Sequence, residues 1–478
     1  MLRIAWIILL VCTCSANSWG AGRPNIIIIL VDDARVDDIS TMPVARAIRD
    51  AGATFNNAFS MFPLCCPARA TLLTGQYAHN HGVQSNKRPT GGFWLFKDAQ
   101  TLATWLDPYY VTAWTGKYFN EYGTDKSGTY IPPGWNEWFT PASAMWNYAA
   151  TRWNANGVLK TFPGQYQTDT EADFAVNFIT KYASGPEPFF LVTSFLAPHA
   201  GSPFEADDPN VIYKTSLFPT PYVAPRHQNY LGDLPFSFNP AFNEDTSDKP
   251  QRPAPLVSWE IAALKEVNQQ RRESLLSVEE AMQRILDSLA DTGVSENTYI
   301  IFLSDNGYAL GEHRIRLGKV MPYDMAVKVP LFIRGPGIPA GVTVPQSVGI
   351  HDLAPTVLAM AQSEGVQESF VMDGVNLLPM IMVADPNYDP NYYADRPLVL
   401  EGAPPNGELT PDWLFQGVVS RKWKYVVRSN GATELYDRLN DPWELENRAK
   451  NSDYAQPLVD MKQLKDRLQF CKGTDCLQ

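Results

Sequence analysis

Positive charge is in short supply: 39 Lys and Arg stand against 51 Asp and Glu, a formal net charge of −12. A surface of that sign repels polyanions at long range, which excludes nucleic acid as a partner. Any anionic substrate must then be drawn in by a local cluster of cations. Internal repeats and low-complexity tracts are absent, and 45% apolar against 19% charged residues is the balance of a folded chain with a large core. A stable membrane span is lacking as well. The apolar run 4–11 follows Arg3 and is too short to cross a bilayer. With Ser15, Ala16, Gly20 and Ala21 after it, residues 1–21 read as an export signal cleaved near Gly20 or Ala21. The destination is then secreted, periplasmic or lysosome-like.

Cysteine is sparse, with six residues. Cys12 and Cys14 leave with the signal. Cys471 and Cys476 enclose the polar loop 472–475 and are expected to form a disulfide that pins the C-terminus in an oxidising compartment. Cys65 and Cys66 remain, adjacent in sequence, and a disulfide between neighbours is strained. That pair needs another explanation.

Four β-branched or aromatic runs, 25–31, 110–114, 189–195 and 298–303, read as strands buried on both faces. Helical patterns at 68–74, 168–182 and 258–289 alternate with them, Gly293 being placed to stop the last. The expected architecture is α/β, a large mixed sheet sandwiched by helices. Residues 200–255 read as a long surface excursion and 380–397 as a linker. Short strands at 414–420, 423–428 and 434–437, with a helix over 453–470, predict a small C-terminal α+β unit. The expected division is 22–390 for the large domain and 391–478 for the small one.

Each long strand ends in polar residues: Asp32-Asp33, Thr115-Gly116-Lys117, Ala197-Pro198-His199, and Asp305-Asn306-Gly307. Ligands in such folds sit outside the carboxyl ends of the strands, where loops converge. Alone, each acidic pair reads as a helix cap or Asx turn. Together, Asp32, Asp33, Asp305 and Asn306 are hard oxygen donors that suit Ca²⁺ or Mg²⁺ better than zinc. Three carboxylates gathered without a cation would repel one another and lose ionisation.

The segment Leu64-Cys65-Cys66-Pro67-Ala68-Arg69, followed by Leu73-Thr74-Gly75, places a nucleophile-type residue just before a helix start with an arginine one turn on. A helix N-terminus and a guanidinium both favour anions. On these grounds either Cys65 or Cys66 is a candidate thiolate, although no Cys-His signature surrounds them.

This segment resembles the Cys-x-Pro-x-Arg…Leu-Thr-Gly signature of the sulfatase family, formylglycine-dependent hydrolases of the alkaline-phosphatase superfamily. The resemblance implies an alkaline-phosphatase-like fold and oxidation of Cys65 to formylglycine, with Cys66 a spacer. It also implies a formylglycine-generating enzyme as partner during maturation. Ala68 stands where the family usually has serine. The resemblance further makes Asp32, Asp33, residue 65, Asp305 and Asn306 the metal set, and Arg69, Lys117, His199 and Lys319 the groups that contact sulfate. A hydrated aldehyde at 65 would attack sulfur with one hydroxyl and expel sulfate with the other. The stretches 116–123, 304–308 and 328–337 are most similar to the N-acetylglucosamine-6-sulfatase branch, as is Phe119 where arylsulfatases usually carry histidine.

The implied activity is hydrolysis of sulfate monoesters of a small sulfated sugar such as N-acetylglucosamine 6-sulfate. Rivals are an arylsulfatase, a phosphonate or phosphodiester hydrolase of the same superfamily, and a catalytically silent secreted binding protein. The complete set of ligands and cations argues against the last. Of the other histidines, His79 and His81 read as packing or supporting residues, His313 as a candidate at the pocket edge, and His351 as structural. Trp135, Trp138, Phe139, Trp146, Tyr148 and Trp153 could stack on a sugar, but read first as packing of an irregular region. The basic run 421–424 reads as a solvated strand edge.

Overall fold

The computed structural model describes residues 22–477 apart from 125, 126, 150, 233, 234, 237, 364, 367–369 and 411. The signal-peptide reading of 1–21 lies outside the described residues. Ten strands form one sheet: β1 (Asn25–Val31), β2 (Ala53–Phe59), β3 (Val111–Gly116), β4 (Glu137–Ser143), β5 (Arg152–Ala155), β6 (Val158–Thr161), β7 (Phe189–Ser194), β8 (Thr298–Ser304), β9 (Leu331–Arg334) and β10 (Val342–Gly349). Their order is β10-β2-β9-β8-β1-β7-β3-β4-β5-β6. The middle strands β8, β1, β7, β3 and β4 run parallel, while β9 and β5 run antiparallel to both neighbours.

The Ile-rich β1 lies at the centre because it can bury both of its faces. Ile26, Ile28 and Leu30 enter one apolar core, under the helices Cys65–Thr74 and Leu353–Ala361. Ile27, Ile29 and Val31 enter the other, under Pro43–Asp50, Gln167–Tyr182 and Ser258–Asp291. This is the expected mixed sheet between helices. The four runs predicted from sequence became β1, β3, β7 and β8. β2, β4 and β10 escaped prediction because their patterns are broken, by Asn56 and Asn57 in β2, Pro141 in β4 and Pro345 in β10.

Two local expectations change. The helix predicted over 68–74 is Cys65–Thr74. Leu64 is its extended N-cap, and Gly75 closes it at φ 70° with its N–H donating to the Thr71 carbonyl. Cys65 therefore stands inside the first turn rather than ahead of it. Among its described residues the excursion 200–255 is irregular apart from the short helix Pro209–Ile212, yet it is no mere surface loop. Phe218, Val223, Ala224 and Thr246 in it are fully buried. Arg226 ties it to Asp169 and Glu280, on the Gln167–Tyr182 and Ser258–Asp291 helices.

A knot of carboxyl groups holds the same excursion to the Ser258–Asp291 helix. Gln270 Nε2 donates at 2.8 Å to both Asp208 and Glu266, and Glu205 accepts from the Val223 N–H at 2.9 Å. Burial, reinforced by Asp207, Asp208 and Glu273, pushes Glu205 and Glu266 each to about 7. Values above the ordinary 4.5 mean that the folded chain binds more protons than the unfolded chain between those limits. Stability contributed here is therefore present in mild acid and falls as pH rises toward neutrality. The double variant Glu205→Gln, Glu266→Gln is expected to lose less stability than the parent between about pH 5 and about pH 7.5. Parallel urea midpoints for the two proteins across that window would refute this origin.

A second, antiparallel sheet follows in the order β11-β12-β13-β14: Leu398–Gly402, Phe415–Val419, Trp423–Arg428 and Thr433–Asp437. The helix Ala455–Leu468 packs on it through Met461 and Leu468. Cys471 and Cys476 form the expected disulfide. The final residues then reach back to the segment that leaves the Cys65–Thr74 helix. His79 Nε2 and Asn80 Nδ2 both bond the Cys471 carbonyl at 2.9 Å, and the Gly473 N–H donates to Asp373 at 2.8 Å. Asp373 in turn accepts from the Tyr77 N–H.

Candidate active site

The register of the central strands assembles the site. Val31 lies opposite Ser304, Leu30 opposite Ser194, and Ser194 opposite Gly116. The residues that follow, Asp32, Asp305 and Lys117, therefore emerge at one edge of the sheet. Asp33 adopts φ 69°, a left-handed conformation that aspartate tolerates better than most residues. The Cys65–Thr74 helix brings residue 65 over this edge, and Lys319 arrives on the loop after β8.

All nine residues singled out in the sequence meet here. Arg69 is fully buried and spends its fork on four acceptors: Asp305 at 3.1 Å, Asp32 at 3.3 Å, and the Lys117 carbonyl and Ser194 Oγ at 2.7 Å each. Lys117 Nζ is paired with Asp32, and Lys319 Nζ with Asp33. Lys319 Nζ also lies 2.8 Å from Cys65 Sγ, and Asp32 Oδ1 lies 3.5 Å from the same sulfur. Cys66 faces away. Its sulfur accepts from the Asn120 N–H at 3.2 Å and belongs to the apolar core. The two adjacent cysteines are thus distinguished by surroundings, with Cys65 alone among the charges.

Electrostatics follow from this packing. Burial disfavours the Asp32 carboxylate, but Lys117, His199, Arg69 and Lys319 outweigh it and hold the group well below its usual range. Asp305, buried beside Asp32, rises to about 6 despite Arg69. Burial, with the charge of Asp32, lifts the Cys65 thiol to about 11. A thiol in that state is protonated at neutral pH and makes a poor nucleophile. Lys117 and Lys319 are raised against burial by the neighbouring carboxylates and stay charged. Burial lowers His199 to about 4, against the pull of Asp33 and Asp32. Its Nδ1 lies 2.7 Å from the Ala200 carbonyl, so Nδ1 carries the proton and Nε2, 3.7 Å from Asp33, is the free nitrogen.

The donors fit a divalent cation. Asp32, Asp33, Cys65 and His199 offer ligand atoms that all lie within 4.8 Å of one another. Asn306 donates through Nδ2 to Asp33 at 2.7 Å, while its buried Oδ1 has no hydrogen-bond partner. An amide oxygen buried without a donor is a costly arrangement that a cation would relieve. His199, expected at the sulfate, thus lies within reach of the metal set. Asp305 stands beside that set, accepting from the Asp33 N–H at 3.1 Å.

The profile of the sulfatase family matches residues 24–363. The chain belongs to that family. This sulfatase is 32% identical to an arylsulfatase of Volvox carteri over 505 aligned residues, covering 95% of the chain and 76% of the relative. It is 29% identical to the human N-acetylglucosamine-6-sulfatase, with 96% of the chain and 86% of the relative covered. A protein solved with its substrate D-glucosamine-2-N,6-O-disulfate superposes with a TM-score of 0.76 at 22% identity, covering 94% of this chain and 97% of that one. The sulfatase is accordingly a sulfuric ester hydrolase on an alkaline-phosphatase-like α/β fold.

The remaining sequence candidates of the sulfatase mostly go to packing. His79 bonds Glu401 at 3.0 Å, and His81 bonds Thr71 at 3.1 Å. His313 is paired with Glu244 and tilts against Tyr323. His351 packs on Tyr77. Trp135, Trp138, Phe139, Tyr148 and Trp153 are buried. Trp146 breaks the pattern, stacking on His199 with ring centroids 4.5 Å apart. Sequence reasoning missed Ser194, which ends β7 as Asp32 follows β1, a position that marks it in retrospect.

Proposed function

We propose that this sulfatase removes the 6-sulfate of N-acetylglucosamine or a related sulfated sugar, through a formylglycine matured from Cys65 and a bound Ca²⁺, for which Mg²⁺ can substitute. One observation carries the reading: Lys319, Asp32 and the Arg69 network converge on Cys65, whose thiol is poorly suited to act unmodified. The human relative of matching name, aligned over most of the chain, supports the sugar. A formylglycine supplies a hydrated aldehyde as oxygen nucleophile, and the cation supplies positive charge beside it.

The chain's own residues do the rest. Asp32, Asp33, Asp305 and Asn306 present oxygen atoms to the cation. Lys319 beside residue 65 and Lys117 on Asp32, both held charged, neutralise sulfuryl oxygens where charge develops. Arg69 is saturated by Asp32, Asp305, Ser194 and the Lys117 carbonyl, so it anchors the site as well as lending it charge. His199 meets the sulfate or the leaving oxygen through Nε2. Maturation needs a formylglycine-generating enzyme, and export to an oxidising compartment agrees with the Cys471–Cys476 disulfide. Among the described residues no helix is long and apolar enough to cross a membrane.

A panel of N-acetylglucosamine 6-sulfate, an aryl sulfate and a phosphodiester tests the proposal. The sugar sulfate is expected to give the highest kcat/KM. A preference for the aryl sulfate would move the assignment to the arylsulfatases, and one for the phosphodiester to the phosphohydrolases of the superfamily.

A further inference from the structure

The loop between β4 and β5 carries no residue of the metal or cation set, yet it is fastened to the His199 segment at several points. The Tyr148 hydroxyl donates to the His199 carbonyl at 2.7 Å. The Ser202 N–H donates to the Trp146 carbonyl at 2.7 Å, and the Tyr148 N–H to the Ser202 carbonyl at 2.8 Å. Gly201 makes the approach possible: a Cβ there would come within 2.5 Å of the Trp146 carbonyl oxygen and 2.7 Å of the Tyr148 ring. Within this frame the Trp146 indole stacks on the His199 imidazole, 24° from parallel, and the Lys117 ammonium sits 4.5 Å from the centre of the same indole.

Three constraints thus meet at His199. Its Nδ1 is fixed by the Ala200 carbonyl, its backbone by Tyr148, and its ring plane by Trp146. The first two leave rotation about the side-chain bonds only partly restricted. The indole lies against the ring face and so constrains the ring plane, and the cation–π contact with Lys117 ties the indole to the site in turn. Trp146 is half-buried, packed against the margin of the core rather than enclosed within it like the aromatics around it.

We infer that Trp146 is a positioning residue for His199, holding the imidazole so that Nε2 faces the reacting ester. This rests on the proposed role of His199 in the reaction. A misplaced catalytic group lowers the rate of the bound complex more than it weakens binding. Trp146→Leu, which keeps an apolar side chain but loses the flat ring, is expected to lower kcat about 10- to 100-fold with KM changed by less than about three-fold. Trp146→Phe restores a ring to stack on and should recover most of that loss.

The deciding measurement is a double-mutant cycle with His199→Asn, using the sugar sulfate in the holoenzyme and thermal midpoints as a check on folding. If the indole acts through the imidazole, Trp146→Leu has no further effect on kcat once His199 is gone. Losses that simply multiply would overturn the inference while leaving His199 in its role. A raised KM at unchanged kcat in Trp146→Leu would do the same, by making the indole a substrate contact. An unimpaired His199→Asn enzyme would sink both the inference and the role of His199. The Trp146→Phe protein keeps the comparison usable if Trp146→Leu folds poorly, because it too is expected to lose its effect in the His199→Asn background.

Discussion

Cys65→Ser is expected to lower steady-state turnover by on the order of 10⁴-fold or more, while the protein folds as the parent does. Serine is nearly isosteric with cysteine, so the neighbouring Asp32 and Lys319 keep their places. What changes is the number of oxygen atoms at the position. A hydrated aldehyde offers two, one to take the sulfuryl group and one to expel it; serine offers one. The variant should therefore accept at most one sulfuryl group and hold it, a stoichiometric adduct visible by intact mass after incubation with substrate. Cys66→Ser is the control. Cys66 lies in the apolar core, with the Asn120 N–H on its sulfur, so its loss should touch stability before catalysis. Sustained turnover by Cys65→Ser would dismiss the formylglycine scheme. So would an intact thiol at 65 in every molecule of active enzyme from the native host, read from the mass of that peptide.

The second large effect concerns the cation. Chelation is expected to cost several kcal/mol of transition-state stabilisation, on the order of 10³-fold in rate, with recovery on adding Ca²⁺. A readout without substrate is available as well. A ligand that binds only the folded chain stabilises it by about 2.7 kcal/mol at a hundred times its Kd, so Ca²⁺ should raise the thermal midpoint. Asn306→Leu removes the buried oxygen that lacks a partner. It is expected to weaken Ca²⁺ on the order of 10-fold or more and to shrink that thermal shift. An Asn306→Leu protein titrating like the parent would remove Asn306 from the metal set.

The parts legible in the sequence were those where one segment carries its own reason. β1 buries both faces and so reads as a continuous apolar run. The polar residues after it had nowhere to go but the sheet edge, and the Cys65–Arg69 spacing carried the family resemblance. Elements whose reason lies in a distant partner were not legible. β2 and β10 pair with each other across most of the chain, and their Asn and Pro residues mask the strand pattern. In the sequence Trp146 reads like the five neighbouring aromatics that are buried, because nothing local distinguishes it; its stacking partner is brought to it across the bridge between Asn147 and Ser202. The buried residues of 200–255 were missed for the same reason, since their burial is supplied by the Ser258–Asp291 helix and its neighbours.

The clasp that the last residues make behind the Cys65–Thr74 helix has a consequence for the order of events in biosynthesis. In the folded chain Cys65 is 0% exposed, so the maturing enzyme proposed above would have to meet it before the molecule closes. The clasp residues, Cys471 to Cys476, follow Leu64–Arg69 by most of the length of the chain and are made well after them. On the proposed scheme, the interval between the emergence of Leu64–Arg69 and that of the clasp would be time open to that maturation. A truncation that removes the clasp would lengthen this interval, leaving the fraction of converted residue 65 undiminished even where the protein itself is less stable.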